Sequence, residues 1–164
     1  LNELGNIKTF NFGLSDKKGE FSFYYDPELS VNASLARVSD RATVTEIKCK
    51  VECLDDFIKQ QNIEVDFIKC DVEGAELFAF KGGIELLSKQ KPIVFSEMLR
   101  KWTLKFNYHP NDIINLFNDL GYLCFISVGG KLTEFSSVDE NTTATNYFFL
   151  HKEKHKSLIK QFSI

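Results

Sequence analysis

Apolar and polar positions along this chain change period several times, and each change marks an element. Residues 7–12 set Ile7, Phe10 and Phe12 among polar neighbours, and residues 20–25 alternate polar with aromatic side chains. Two strands are predicted there, joined by the turn chemistry of Ser15-Asp16-Lys17-Lys18-Gly19. Residues 26–40 contain Pro27 and many small polar residues with little periodicity. They read as a loop, and loops of that length in a compact domain are often functional or mobile. Residues 43–51 alternate again, with Ile47, Cys49 and Val51 on one face. Residues 54–61 read as a short helix whose early acids, Asp55 and Asp56, suit the positive end of its dipole.

A short apolar run, residues 65–70, then closes on Asp71 and Gly74 and leads into a helical pattern. This is the signature of a buried strand feeding a helix. Gly82-Gly83 breaks or kinks that helix. Residues 92–97 form a second apolar strand that also ends in a carboxylate, Glu97. Pro110 opens a helix with Ile113, Ile114, Leu116, Phe117 and Leu120 on its buried face and Gly121 as its C-cap. Residues 122–127 and 131–135 flank the Gly129-Gly130 turn of a hairpin. Residues 146–150 are a last strand, followed by a polar helix. The pattern predicts one α/β domain with an antiparallel C-terminal hairpin, without repeats or linkers.

Composition narrows the function classes. At 164 residues, 43% hydrophobic and 26% charged, the chain can bury a sizeable core. A net charge of −3 and a pI near 5.7 argue against nucleic acid as a partner. The basic tail residues 151–156 are interrupted by Glu153 and read as a solvated helix. The four cysteines, Cys49, Cys53, Cys70 and Cys124, include no C-x-x-C pair and read as free thiols, which suits a reducing compartment. With no signal peptide or membrane span visible, a cytoplasmic location is expected and no membrane partner is indicated. Asn32-Ala33-Ser34 and Asn141-Thr142-Thr143 match the glycosylation acceptor pattern, which matters only in a secreted protein.

The candidate chemistry sits at the end of the first apolar strand. Ligands of open α/β sheets bind outside the carboxyl ends of the strands, and Asp71, Glu73 and Glu76 stand at such an end. The alternative is helix capping: Asp71 could N-cap the following helix, and Glu73 and Glu76 suit its first turn. Lys69 is expected to pair with one of these acids. The acids could together hold Mg²⁺, but the motif has no His and capping accounts for its carboxylates, so no metal is expected.

Phe67-Ile68-Lys69-Cys70-Asp71-Val72-Glu73-Gly74-Ala75-Glu76 resembles the I-K-x-D-V-E-G-x-E signature of FkbM-type methyltransferases, which use S-adenosylmethionine. Asn11-Phe12-Gly13-Leu14-Ser15-Asp16 with Gly19 is similar to the family's N-x-A-L-S-D-x-x-G segment. Asn32-Ala33-Ser34-Leu35 stands at its Ser-rich S-S-L, and Cys53-Leu54-Asp55-Asp56-Phe57 at its T-L-D-D-F. Ile93-Val94-Phe95-Ser96-Glu97 stands at its strand ending in Glu, and Asn146-Tyr147-Phe148-Phe149 at its final N-Y-L-F. Gly13 replaces Ala, Cys53 replaces Thr, and Asn32-Ala33 replace the first serines.

The resemblance implies part of a Rossmann-like class I methyltransferase sheet, whose full strand order is 3-2-1-4-5-7-6. Residues 7–12 would be strand 3 and residues 65–70 strand 4, so the chain would supply strands 3 to 7. It implies O-methyl transfer from S-adenosylmethionine to a hydroxyl of a small-molecule or glycan acceptor. Asp71 would be the base, with Glu73 as a second candidate. Leu14, Ser15, Asp16 and Asp71 would border the cofactor; Glu97, Ser34 and His109 would meet the acceptor. The family's D-x-G-A-N-x-G cofactor loop has no match here. The chain therefore resembles the C-terminal two thirds of a catalytic domain, expected to bind the cofactor poorly by itself and to leave an unpaired apolar edge at residues 65–70. A non-catalytic binding module derived from this fold is the alternative. A hydrolase using a pair of carboxylates is a distant third reading.

Overall fold

The computed structural model describes residues 5–27 and 43–163 in full and the backbone alone for 29–34. The chain builds two sheets rather than the one expected. The first contains β1 (Gly13–Leu14), β2 (Gly19–Asp26), β3 (Leu29–Ser34) and β4 (Thr45–Glu52), in the order β1-β4-β2-β3. β2 and β4 pair antiparallel from Gly19↔Val51 to Tyr25↔Thr45, while β1 runs parallel to the end of β4.

Two sequence expectations are corrected in this sheet. The first strand was placed at residues 7–12, but pairing begins only at Gly13. The apolar side chains of that segment find a helix instead: Phe10 and Phe12 pack on Phe57 at 4.7 and 5.1 Å between ring centroids. An alternating pattern reports a half-buried extended segment but does not say whether its cover is a strand or a helix. Residues 26–40 were read as a loop, yet Leu29–Ser34 is a strand paired with β2 across an irregularity between Tyr24 and Asp26. Leu29, Val31 and Ala33 do alternate with Ser30, Asn32 and Ser34, but the run is short and stands among Pro27 and small polar residues that also suit a loop. Residues 35–40 of that segment lie outside the described residues.

The rest of the chain is α1 (Leu54–Gln61), β5 (Phe67–Cys70), α2 (Glu76–Lys81), α3 (Ile84–Lys89), β6 (Ile93–Glu97), α4 (Arg100–Thr103), a 3-10 turn (Leu104–Phe106), α5 (Pro110–Asp119), β7 (Tyr122–Val128), β8 (Lys131–Glu134), β9 (Asn146–His151) and α6 (Lys156–Phe162). Its sheet has the order β5-β6-β9-β7-β8, with β5 and β6 parallel and β9 antiparallel to both β6 and β7. Alternate residues of β6, Val94 and Ser96, are fully buried. On that face Phe117 of α5 stacks on Phe149 at 4.1 Å and meets Phe80 of α2 at 4.9 Å.

β5 was expected to be buried. Among the described residues it pairs with β6 alone, so it is an edge strand. Only its inward residues, Ile68 and Cys70, are covered, and Phe67 is 53% exposed. The unpaired edge expected at residues 65–70 is therefore present. Lys69 and Phe95 share the outer face, with the ammonium 5.9 Å from the ring centre.

The break between α2 and α3 joins the two sheets. A Cβ on Gly82 would collide with the Ser15 carbonyl oxygen, and one on Gly83 would lie 2.9 Å from Leu54 Cδ2. Asp55 lies in the first turn of α1, where its charge suits that helix's dipole as expected, and its carboxylate also accepts hydrogen bonds from the Glu85 and Leu86 amides at 2.9 and 2.8 Å and so caps α3. Among the described residues no helix is long and apolar enough to cross a membrane.

Candidate functional site

β5 and β6 run parallel with Cys70 opposite Ser96, so the residues that follow, Asp71 and Glu97, lie side by side at the carboxyl ends of both strands. Side chains alternate along a strand, which puts Lys69, Asp71 and Glu97 on one face. Lys69 Nζ lies 2.8 Å from Asp71 Oδ2, the ion pair expected for this lysine. Glu97 is hydrogen-bonded to Asp71, and burial followed by the Asp71 charge pushes its carboxyl above the usual range.

Glu73 lies on the turn beyond Asp71 with φ 52°, and Gly74 follows with φ 100°. Burial comes first in raising the Glu73 carboxyl, reinforced by Asp71, Glu97 and Glu76 and opposed by Lys101. The capping alternative for Asp71 does not hold: Ala75 occupies the N-cap of α2 and no side chain caps it. Glu76 is structural, as its place in the first turn suggests. It is 2% exposed, and its Oε1 accepts from the Val72 and Gly74 amides at 3.0 and 3.1 Å.

The other predicted residues divide. Leu14 lines a cavity of about 660 Å³ together with Gly13, Val51, Asp71, Val72 and Ala75, between the first sheet and the end of β5. Leu14 and Asp71 also border an adjoining cavity of about 350 Å³ against Cys70 and Phe80. Ser15 is buried. Its amide donates to the Glu52 carbonyl at 3.1 Å and its hydroxyl to Asp16 Oδ1 at 3.2 Å, so Ser15 and Asp16 bind each other. His109 caps α5: its Nδ1 accepts from the Asn111 amide at 3.2 Å, while its own amide donates to Asp112 at 2.9 Å. Ser34 ends β3 opposite Tyr24, and its side chain lies outside what is described.

Two features escaped the sequence reading. Tyr108 is buried against the acidic turn, its hydroxyl 2.8 Å from the Gly74 carbonyl oxygen and 3.2 Å from Glu76 Oε2. α4 and the 3-10 turn cover the same turn, since a Cβ on Gly74 would lie 2.8 Å from the Trp102 carbonyl oxygen and 2.9 Å from the Phe106 ring. The glycine of the motif was the available signal for that close approach. Nothing local in the sequence pointed to Tyr108.

A family model described as the methyltransferase FkbM domain matches residues 1–124, which include the first sheet, both acid-bearing strands and α5. No curated protein and no solved structure matches the chain.

Proposed function

The chain belongs to the FkbM methyltransferase family, and from that premise we propose that the protein is an S-adenosylmethionine-dependent O-methyltransferase acting on a hydroxyl of a sugar or small metabolite. The observation that carries this reading is the Asp71–Glu97 pair, with Lys69 fixed to Asp71, beside a cavity large enough for a ligand. The cavity volume of 660 Å³ lies within the range of about 300–1,000 Å³ common for small-molecule sites. Its lining combines apolar side chains with Asn11, Lys48, Lys50 and one carboxylate, Asp71, so that it offers both an apolar wall and polar groups to a ligand. Leu14 and Asp71 are the residues that would border the cofactor, with Ser15 and Asp16 supporting the wall through the Glu52 contact. When bound, S-adenosylmethionine supplies an electrophilic methyl carbon.

The strand order supports the same reading. β5-β6-β9-β7, with β9 antiparallel, corresponds to strands 4-5-7-6 of a Rossmann-like class I sheet. On this correspondence residues 1–164 are the C-terminal portion of one such domain, and the activity is that of the full-length protein. Neither nucleic acid nor a membrane is required by this chemistry, and an acceptor met in the cytoplasm fits it.

In the proposed reaction Asp71 would accept the proton of the acceptor hydroxyl, and bound S-adenosylmethionine would supply the methyl group to that oxygen, its methyl–sulfur bond breaking to leave S-adenosylhomocysteine. Lys69 holds the Asp71 carboxylate in place, and Glu97 hydrogen-bonds the acceptor's other polar groups or takes the proton on from Asp71. Glu73 is the second candidate for the base. A general base is commonly worth about 10²–10⁴-fold in rate, and orientation of the two reactants supplies much of the remainder. In the full-length protein, Asp71→Asn is expected to lower release of S-adenosylhomocysteine by about that factor. Unchanged turnover in that variant removes Asp71 from the mechanism.

A further inference from the structure

Tyr108 has one hydroxyl hydrogen and two oxygen neighbours, the Gly74 carbonyl at 2.8 Å and Glu76 Oε2 at 3.2 Å. A carbonyl oxygen can only accept, so the shorter contact uses the hydrogen of Tyr108. That leaves a lone pair of the phenol oxygen facing Oε2, a contact that is attractive only if Oε2 carries a hydrogen. The other oxygen, Oε1, already serves as an acceptor for the Val72 and Gly74 amides. We infer that Glu76 is held in the fold as a neutral carboxylic acid, its Oε2–H donating to Tyr108, and that this pair is the positioning lock for the turn that carries Asp71 and Glu73.

The turn needs a lock. Glu73 and Gly74 are consecutive residues with left-handed backbone, at φ 52° and 100°, a conformation that persists only when its surroundings over-determine it. Glu76 ties down the amides on both sides of Glu73, and Tyr108 ties down the Gly74 carbonyl. Around Glu76 stand Cys70 of β5, Glu73 of the turn, Glu97 of β6 and Tyr108 ahead of α5. None of these is a cation that would favour its ionised form. Burial is the leading cause that raises the Glu76 carboxyl above the ordinary range, against the hydrogen bonds that lower it.

Glu76→Gln reproduces the neutral acid, with the amide oxygen in place of Oε1 and the amide N–H in place of Oε2–H. Below the ordinary carboxyl value of 4.5 both folded and unfolded Glu76 are protonated. As pH rises past it the unfolded chain ionises first, so the parent loses stability until the folded group ionises, while the Gln variant does not. The expected result is a Gln variant that melts at or above the parent near neutral pH, with the difference closing as pH falls toward 4.5. The Val72 and Gly74 amides should stay protected from hydrogen exchange in Glu76→Gln and lose protection in Glu76→Ala. The parent should also show a carboxylic-acid C=O infrared band near neutral pH that Glu76→Gln lacks and Glu97→Gln retains. A Gln variant that melts below the parent near neutral pH, or does not fold, overturns the neutral-acid assignment. Unchanged exchange in Glu76→Ala overturns the positioning role. None of these measurements involves methyl transfer, so the outcome is independent of the proposed reaction.

Discussion

Gly74 has φ 100° and its backbone touches the Trp102 carbonyl and the Phe106 ring, so a methyl group there would meet both strain and collision. Gly74→Ala is expected to destabilise the protein by about 1–3 kcal/mol, read from urea denaturation midpoints. A result within error of the parent would mean that the segment 102–106 moves away at little cost. The motif's acids were all legible as residues, but their roles were not. Asp71, Glu73 and Glu76 lie within six positions of one another and look equivalent in a sequence. Burial separates them: Glu76 is enclosed and serves the turn, Glu73 is half-buried, and Asp71 remains exposed enough to pair with Lys69. That division depends on Tyr108 and Glu97, which approach from elsewhere in the chain.

At the scale of elements, local chemistry was a good guide wherever a helix or turn is stabilised by its own residues. Pro110 and Gly121 bracket α5, and Gly129-Gly130, at φ 56° and 78°, make the tight turn of the β7–β8 hairpin. The reading was incomplete where one element serves another. Asp55 lies in the first turn of α1, yet its carboxylate caps α3 through two amide hydrogen bonds. Asp55→Ala is expected to cost about 0.5–2 kcal/mol, the usual range for a lost cap. By thermal unfolding combined with hydrogen exchange, the loss should localise to the Glu85 and Leu86 amides rather than to α1. Protection lost across α1 alone would restore the simpler dipole reading. β3 was missed because its short alternation of Leu29, Val31 and Ala33 with polar residues lies in a stretch whose Pro27 and small polar residues suit a loop, and only its pairing with β2 decides between the two.

At the scale of the whole molecule, the two sheets meet at the first turn after β1 and at the β5 edge. The buried cluster of aromatic and aliphatic side chains is drawn from residues 70–149, with Leu14 packed against it from the first sheet. The β5 edge carries Phe67 at 53% exposure and presents unpaired main-chain groups among the described residues. Such an edge invites intermolecular pairing unless a charge interrupts it. Phe67→Lys is expected to reduce concentration-dependent light scattering while leaving the melting temperature of the chain nearly unchanged. Scattering equal to that of the parent would show that the edge is not the route of association.

By itself the sequence determined most of the element types from residue 43 onward, the break at Gly82-Gly83, and the placement of carboxylates at the ends of two apolar strands. These follow from hydrophobic period, turn residues and caps, which act over a few neighbouring positions. The family was legible too, because its motif keeps those local features in fixed order. Only the tertiary structure decided that residues 7–12 lie on α1, that β1 joins β4 in a separate sheet, and that Asp71 and Glu97 share a hydrogen bond. The same holds for the enclosure of Glu76 by Tyr108. Each is a contact between distant segments, and its energy depends on burial and geometry that no local pattern encodes.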